Sequence, residues 1–263
     1  MGKLNEYFQS FLSAVSLLTT LRIPHALFSE KPLPDTLNLS PVFYPVVGVV
    51  IGLVLWLVSF LLHPFFESNV VAACVLLTWV VVTGALHLDG LADCFDVMYA
   101  QHKGKTDLAR VFKDPHVGVS GAVSLILCLL AKFVLLDTLL QNTGQVGFES
   151  LAVFCFVCGV SRLYIPVIML TKAYVSSEGL ASNIDVHKFR SVFIVGFIGF
   201  TVLSLLFLES SFVLGAFITI MVIYFWWTTK WHKLIGGYNG DCLGAFIEIS
   251  ETLCLFTFLI IAH

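Results

Sequence analysis

The chain has 263 residues, of which 58% are hydrophobic and only 12% charged, with a formal net charge of −3 and a mean hydropathy of +0.95. A soluble domain is nearer 45–50% apolar and about 25% charged, so this chain has too few charges to coat a globule. A soluble globular, disordered or nucleic-acid-binding protein is excluded, the last also by the lack of a basic excess. The composition predicts an all-α, polytopic membrane bundle.

Residues 5–21 mix apolar positions with Asn5, Glu6, Gln9 and several Ser and Thr. That pattern suits an interfacial or re-entrant helix, or an eighth span. Met1 to Phe11 hold one lysine and no small-residue cleavage site after an apolar core, so no cleaved signal peptide is expected. Seven runs, near 41–62, 69–88, 117–136, 150–171, 191–208, 212–229 and 242–262, can each cross about 30 Å of hydrocarbon as a helix. With no internal repeat and no linker, residues 1–263 read as a single integral membrane domain. Most of the seven cysteines lie in the apolar runs. Cys155-Val-Phe-Cys158 has redox spacing but sits mid-span without a βαβ pattern, so it reads as apolar packing.

The connections 63–68, 137–149 and 209–211 contain no Lys or Arg. The alternate connections carry Lys103, Lys105, Arg110, Lys113, Lys172, Lys188, Lys230 and Lys233, which places them on the cytoplasmic side. The acids gather on that same face. His87-Leu-Asp89-Gly-Leu-Ala-Asp93-Cys-Phe-Asp96 closes the segment 69–88. If the helix continues, Asp89, Asp93 and Asp96 share one face within about 40° of arc. Three like charges repel there unless a divalent cation neutralises them, and carboxylate oxygens suit Mg²⁺ or Mn²⁺. A hydrated helix end is the plainer alternative. Gly90 and Ala92 leave room for a neighbouring backbone or a bulky group, and His87 points nearly the opposite way.

Arg110-Val-Phe-Lys113-Asp114-Pro-His-Val-Gly118-Val-Ser-Gly121 puts two cations before a glycine-bearing helix start. This suits a phosphate or the outer shell of a metal, although a basic loop is also what orientation requires. In Asn239-Gly240-Asp241-Cys-Leu-Gly244-Ala-Phe-Ile-Glu248-Ile-Ser-Glu251, Asp241, Gly244 and Glu248 share a face with Glu251 on its flank. Carboxylates inside an apolar run normally face a polar cavity; these could hold a second metal or position an attacking hydroxyl. Arg162 lies on the order of 13 Å from the inner end of its span, too deep to snorkel easily. It is expected to face the acids or a phosphate, or to pair with Glu248 or Glu251. Lys132, near the outer end of 117–136, is expected to snorkel.

Carboxylates, a metal and cations at one membrane face suit transfer of a phosphoryl-linked group. A cation transporter is the alternative, but would more naturally hold its acids near mid-bilayer on broken helices.

Five separated motifs resemble those of the cobalamin synthase family, the adenosylcobinamide-GDP ribazoletransferases. They are His87-Leu-Asp89-Gly-Leu-Ala-Asp93 with Asp96; Arg110…Lys113-Asp114…Gly118…Gly121; Ser161-Arg162; Glu178-Gly179-Leu180; and Asn239-Gly240-Asp241-Cys-Leu-Gly244-Ala…Glu248…Glu251. They occur in order across roughly residues 10–260. The resemblance implies a multi-pass enzyme of the bacterial inner membrane with its site on the cytoplasmic face. Its substrates would be adenosylcobinamide-GDP and α-ribazole or α-ribazole 5′-phosphate, and its cofactor Mg²⁺. The 3′-hydroxyl would attack the cobinamide-bearing phosphorus, and GMP would leave. Other cobamide-assembly enzymes are implied as partners beside the bilayer, and nucleic acid is not.

Carried onto this sequence, the resemblance implies Asp89, Asp93 and Asp96 as metal ligands and, with Asp114, Asp241 and Glu248, as catalytic acids. Arg110, Lys113, Arg162, Glu178, Asn239 and Glu251 are the implied substrate contacts. Two departures occur: Pro115-His116 stands where Ser-Arg is commoner, so His116 takes no role, and Asn239 stands where Thr is usual. The short Asp89-Gly90 pair also resembles the Asp-Gly-x-x-Ala-Arg core of CDP-alcohol phosphotransferases. Here, however, Asp93 stands where that family has Ala, Cys94 where it has Arg, and Leu86 where it has Asp.

Overall fold

The structure is a computed structural model that describes residues 2–24, 27–28, 35–104, 107–112, 114–142, 147–176 and 184–262. Helix α1 (Gly2–Leu18) is followed by α2 (Thr36–Leu39), a 3₁₀ turn (Ser40–Phe43) and α3 (Tyr44–Leu62). Then come α4 (Ser68–Thr83), α5 (Leu86–His102), the short α6 (Leu108–Phe112), α7 (Val119–Asn142) and α8 (Phe148–Thr171). A second 3₁₀ turn (Val186–Phe189) leads into α9 (Arg190–Phe207), α10 (Ser210–Ile235) and α11 (Gly240–Ala262). Among the described residues, six stretches are long and apolar enough to cross a membrane, and a seventh is reached if α4 and α5 count as one span bent by 86°. The described residues thus form an all-helical polytopic bundle, which reaches the seven expected spans only if that bent pair is one of them. The N-terminal segment is a helix that buries Leu12, Ala14, Val15 and Leu18 and leaves Leu4, Tyr7 and Phe8 exposed.

Helix α8 is the hub, with 16 of its 24 residues buried. Helix α9 buries only Phe193 and Ser204 of its 18 and turns Ile194, Val195 and Ile198 outward, as a lipid-facing helix does. Lipid offers no hydrophobic drive for helices to associate, so close backbone packing must supply it. Gly48 and Gly52 of α3 provide that packing. A Cβ at Gly48 would strike the Cys158 carbonyl, and one at Gly52 would lie 2.6 Å from the Cys155 Cα.

One expected boundary is corrected. The run 69–88 does not continue as one helix through the acidic motif. It stops at Thr83, because Gly84 and Ala85 take left-handed φ values of 64° and 56°, a conformation that costs a non-glycine residue about 1–2 kcal/mol. The freed carbonyls find partners across the chain. Thr20 donates its hydroxyl to Val81 O at 2.8 Å and its N–H to Val82 O at 2.8 Å. A Cβ at Gly84 would collide with the Thr20 side chain. Residues 87–96 therefore lie on α5, turned almost perpendicular to α4.

Gly48→Ala is expected to cost about 1–3 kcal/mol through overpacking of α3 on α8, read as a lower melting temperature in detergent. Gly196→Ala, where a Cβ meets nothing within 4 Å, is the control and should leave it unchanged.

Candidate active site

The acidic face is built where α5 crosses α11. A Cβ at Gly90 would lie 2.9 Å from the Asp241 Cα, and one at Gly244 would lie 3.1 Å from the His87 Cα. The two backbones are therefore in contact, and the aspartates of both helices act on one another. Asp93 feels the charges of Asp241, Asp89 and Asp96, and Asp241 that of Asp89. Asp89 is exposed, and the other three are half-buried.

The four carboxylates have different surroundings. Among the described residues, neither Asp89 nor Asp93 has a hydrogen bond or ion pair. Asp241 accepts from Asn239 Nδ2 at 2.8 Å, while Asn239 Oδ1 accepts the Cys242 N–H at 3.0 Å and caps α11. Both oxygens of Asp96 accept backbone N–H groups at the start of α7, from Gly118 at 2.7 Å and Gly121 at 2.8 Å. Among the described residues no three Asp, Glu, His or Cys side chains already converge as a metal site. Carboxylate oxygens nevertheless suit Mg²⁺, which usually takes one or two of them and fills its shell with water and substrate phosphate.

Deeper in the bundle lies a second charged centre. Lys132 Nζ of α7 donates to Glu248 Oε2 at 2.6 Å and Glu251 Oε2 at 2.7 Å. Arg162 Nη1 of α8 donates to Glu251 Oε1 at 2.6 Å and to the Cys158 carbonyl at 2.9 Å. The side chains of these four ionic residues are at most 4% exposed. Lys132 also sits 4.4 Å from the centre of the Trp79 ring. Two cations thus face two carboxylates, which makes burial of charge tolerable. His87 packs nearby; its Nε2, like Arg162 Nε and Nη2, has no hydrogen-bond partner among the described residues.

Lys132 corrects the expectation that it snorkels to the outer surface. Helix α7 runs six residues beyond the expected end of its span, so Lys132 lies on the order of 20 Å from the helix start and cannot reach either interface. Of the two alternatives for Arg162, the structure shows the ion pair, with Glu251. Lys132 and Trp79 are the residues that sequence reasoning missed. A lysine inside an apolar run was the available signal, and misplacing the helix end concealed it.

The remaining expected residues lie nearer the surface. Arg110 is exposed on α6, whose Phe112 packs on Trp231 of α10 at 5.7 Å. Asp114 is exposed, and its Oδ1 accepts the His116 N–H at 3.1 Å. Lys113 and Glu178 fall outside the described residues. On this face Tyr174 pairs with Tyr238 in a parallel bridge, and a Cβ at Gly237 would strike the Ala173 carbonyl. Lys188 bonds both oxygens of Asp35 at 2.6 Å and holds that carboxyl below its usual range.

Fold and site together define a polytopic helical membrane protein with a cluster of aspartates at one end of its bundle. Residues 10–259 match the family described as Cobalamin-5-phosphate synthase, and the chain belongs to that family. It is 34% identical to an adenosylcobinamide-GDP ribazoletransferase of Acinetobacter baumannii, over 95% of this chain and 96% of that protein. The same name is carried by a Pseudomonas paraeruginosa protein at 34% identity, over 96% and 98%. A third, from Clostridium tetani, is 25% identical over 98% and 99%. No solved structure matches the chain.

Lys132→Met leaves two buried carboxylates facing one cation. It is expected to cost about 3–5 kcal/mol, measured by unfolding in detergent. Lys132→Met combined with Glu248→Gln removes one charge of each sign and should recover part of that loss.

Proposed function

We propose that the chain is a Mg²⁺-dependent adenosylcobinamide-GDP ribazoletransferase. It joins the cobinamide phosphate to the 3′-hydroxyl of α-ribazole, or of its 5′-phosphate, late in cobalamin biosynthesis. Family membership supports the reaction class. The observation that carries the site is the group formed by Asp89, Asp93 and Asp241, in which two of three neighbouring carboxylates lack a partner among the described residues. One or two of these carboxylates would hold the ion, with water and substrate phosphate completing its shell.

A bound Mg²⁺ would supply electrostatic stabilisation of the diphosphate charge. The 3′-oxygen forms a bond to the cobinamide-bearing phosphorus, and the bond from that phosphorus to the oxygen leaving with GMP breaks. The hydroxyl proton passes to a carboxylate of the group. Asn239 holds Asp241 in place and caps the helix that carries it. Arg110 and Lys113 are the cations proposed to meet the phosphates. Arg162, Glu248 and Glu251 are sealed from solvent and bonded within the bundle. Their role is to fix α7, α8 and α11 around the site rather than to touch substrate.

The excess of Lys and Arg on alternate connections supports an orientation with this face toward the cytoplasm. The acidic face shares that side with the basic loops.

The test uses protein in nanodiscs with adenosylcobinamide-GDP, α-ribazole and Mg²⁺, following product and GMP by chromatography. EDTA should abolish turnover, and Asp89→Asn should lower it by at least about 100-fold. Full turnover by Asp89→Asn would remove Asp89 from the site. For orientation, Lys103→Cys in intact cells should resist an impermeant maleimide and react once the inner face is opened. Labelling from outside would reverse the topology.

A further inference from the structure

Asp89, Asp93 and Asp96 stand at i, i+4 and i+7 of α5, a spacing that presents them as one set of ligands. Their surroundings divide them. Asp89 and Asp93 have no partner among the described residues, whereas both oxygens of Asp96 are taken, by the Gly118 N–H at 2.7 Å and the Gly121 N–H at 2.8 Å. The first turn of a helix carries N–H groups with no partner inside the helix, and roughly half a positive charge. Asp96 meets both demands from outside α7. The contact is built for a carboxylate, since a Cβ at either glycine would fall against the Asp96 carboxyl group. Ser120 Oγ, donating to the Phe95 carbonyl at 3.2 Å, ties the same turn to the same part of α5.

Two consequences follow for the site. The glycine-bearing start of α7 resembles a phosphate cradle, but the protein's own carboxylate fills it, so substrate phosphate must be held by side chains. The segment between residues 96 and 118 also has both ends pinned at one point. This segment carries Arg110 and Lys113. Its middle is held by α6, whose Phe112 packs on Trp231. The contact with α7 further explains how three carboxylates share a stripe: the third is neutralised by a helix N-terminus rather than by a cation.

We infer that Asp96 is a positioning residue and not a metal ligand. It locks the α7 N-terminus to α5, fixes both ends of the segment that carries Arg110 and Lys113, and so governs how tightly the diphosphate is held. The substrate named here rests on the function proposed above; the lock itself does not.

The experiment has two arms on protein in nanodiscs. Hydrogen exchange over residues 114–125 reads the lock without any substrate. Kinetics give KM for adenosylcobinamide-GDP and the Mg²⁺ concentration for half-maximal rate, with Asp89→Asn as the ligand comparator. Asp96→Asn keeps one acceptor oxygen and Asp96→Ala keeps none. Exchange protection should therefore fall in the first and further in the second, with KM rising in the same order to about tenfold.

Gly121→Ala displaces the carboxylate without altering an acid, and it should reproduce this pattern. In all three variants the Mg²⁺ requirement should stay within about twofold of wild type. Unchanged exchange, or a Mg²⁺ requirement raised as far as in Asp89→Asn, would overturn the inference. If the wild type itself shows no turnover, the function proposed above fails, and the exchange arm alone still decides the lock.

Discussion

The acidic face depends on α5 and α11 lying backbone against backbone. Carboxylates repel, so four aspartates do not gather on their own account; something else must force their helices together. Gly90 and Gly244 do this by removing the side chains that would hold the backbones apart. The resulting contact brings Asp241 within electrostatic reach of Asp89 and Asp93. A wider crossing would leave the same residues as separate acids on a wet helix end. The chemistry of this end is therefore a product of helix packing before it is a product of charge.

The buried ionic centre supports that crossing from below. Glu248 and Glu251 lie two to three turns into α11, and Lys132 and Arg162 reach them from α7 and α8. Removing four charges from water is costly, and their mutual contact is what makes it bearable. In return, α11 is held in register by partners on two other helices. The polar residues thus divide by depth. Near the surface, Asp89 and Asp93 have no partner among the described residues. Those in the interior satisfy one another and hold the frame.

Much of the site could be read from residue order. The i, i+4, i+7 aspartates lie on one helix, Asp241 and Glu248 share a face of α11, and Gly90 admits a neighbouring backbone. Arg162 lies too deep to snorkel, and it is buried in an ion pair. The errors have a common origin in helix ends, which hydropathy locates poorly. Ending one run at 136 placed Lys132 near an interface, when it lies at the centre of the bundle. Extending another to 88 ran a helix through Gly84 and Ala85, where the backbone reverses hand. Asn239 was read only as an implied substrate contact; its place before a helix start, where Asn commonly caps, was the signal for the part it plays.

The sequence by itself determined that this chain is a multi-pass helical membrane protein and which acids share a helix face. Those properties follow from composition and from the fixed period of a helix, and both are local. Only the tertiary structure decided which acids face one another, which are bonded within the protein and which have no partner among the described residues. Asp89 and Asp96 are indistinguishable by type and spacing, yet one is exposed and the other caps a helix more than twenty residues away. That difference arises from what another part of the chain brings against each of them, and no periodicity within α5 encodes it.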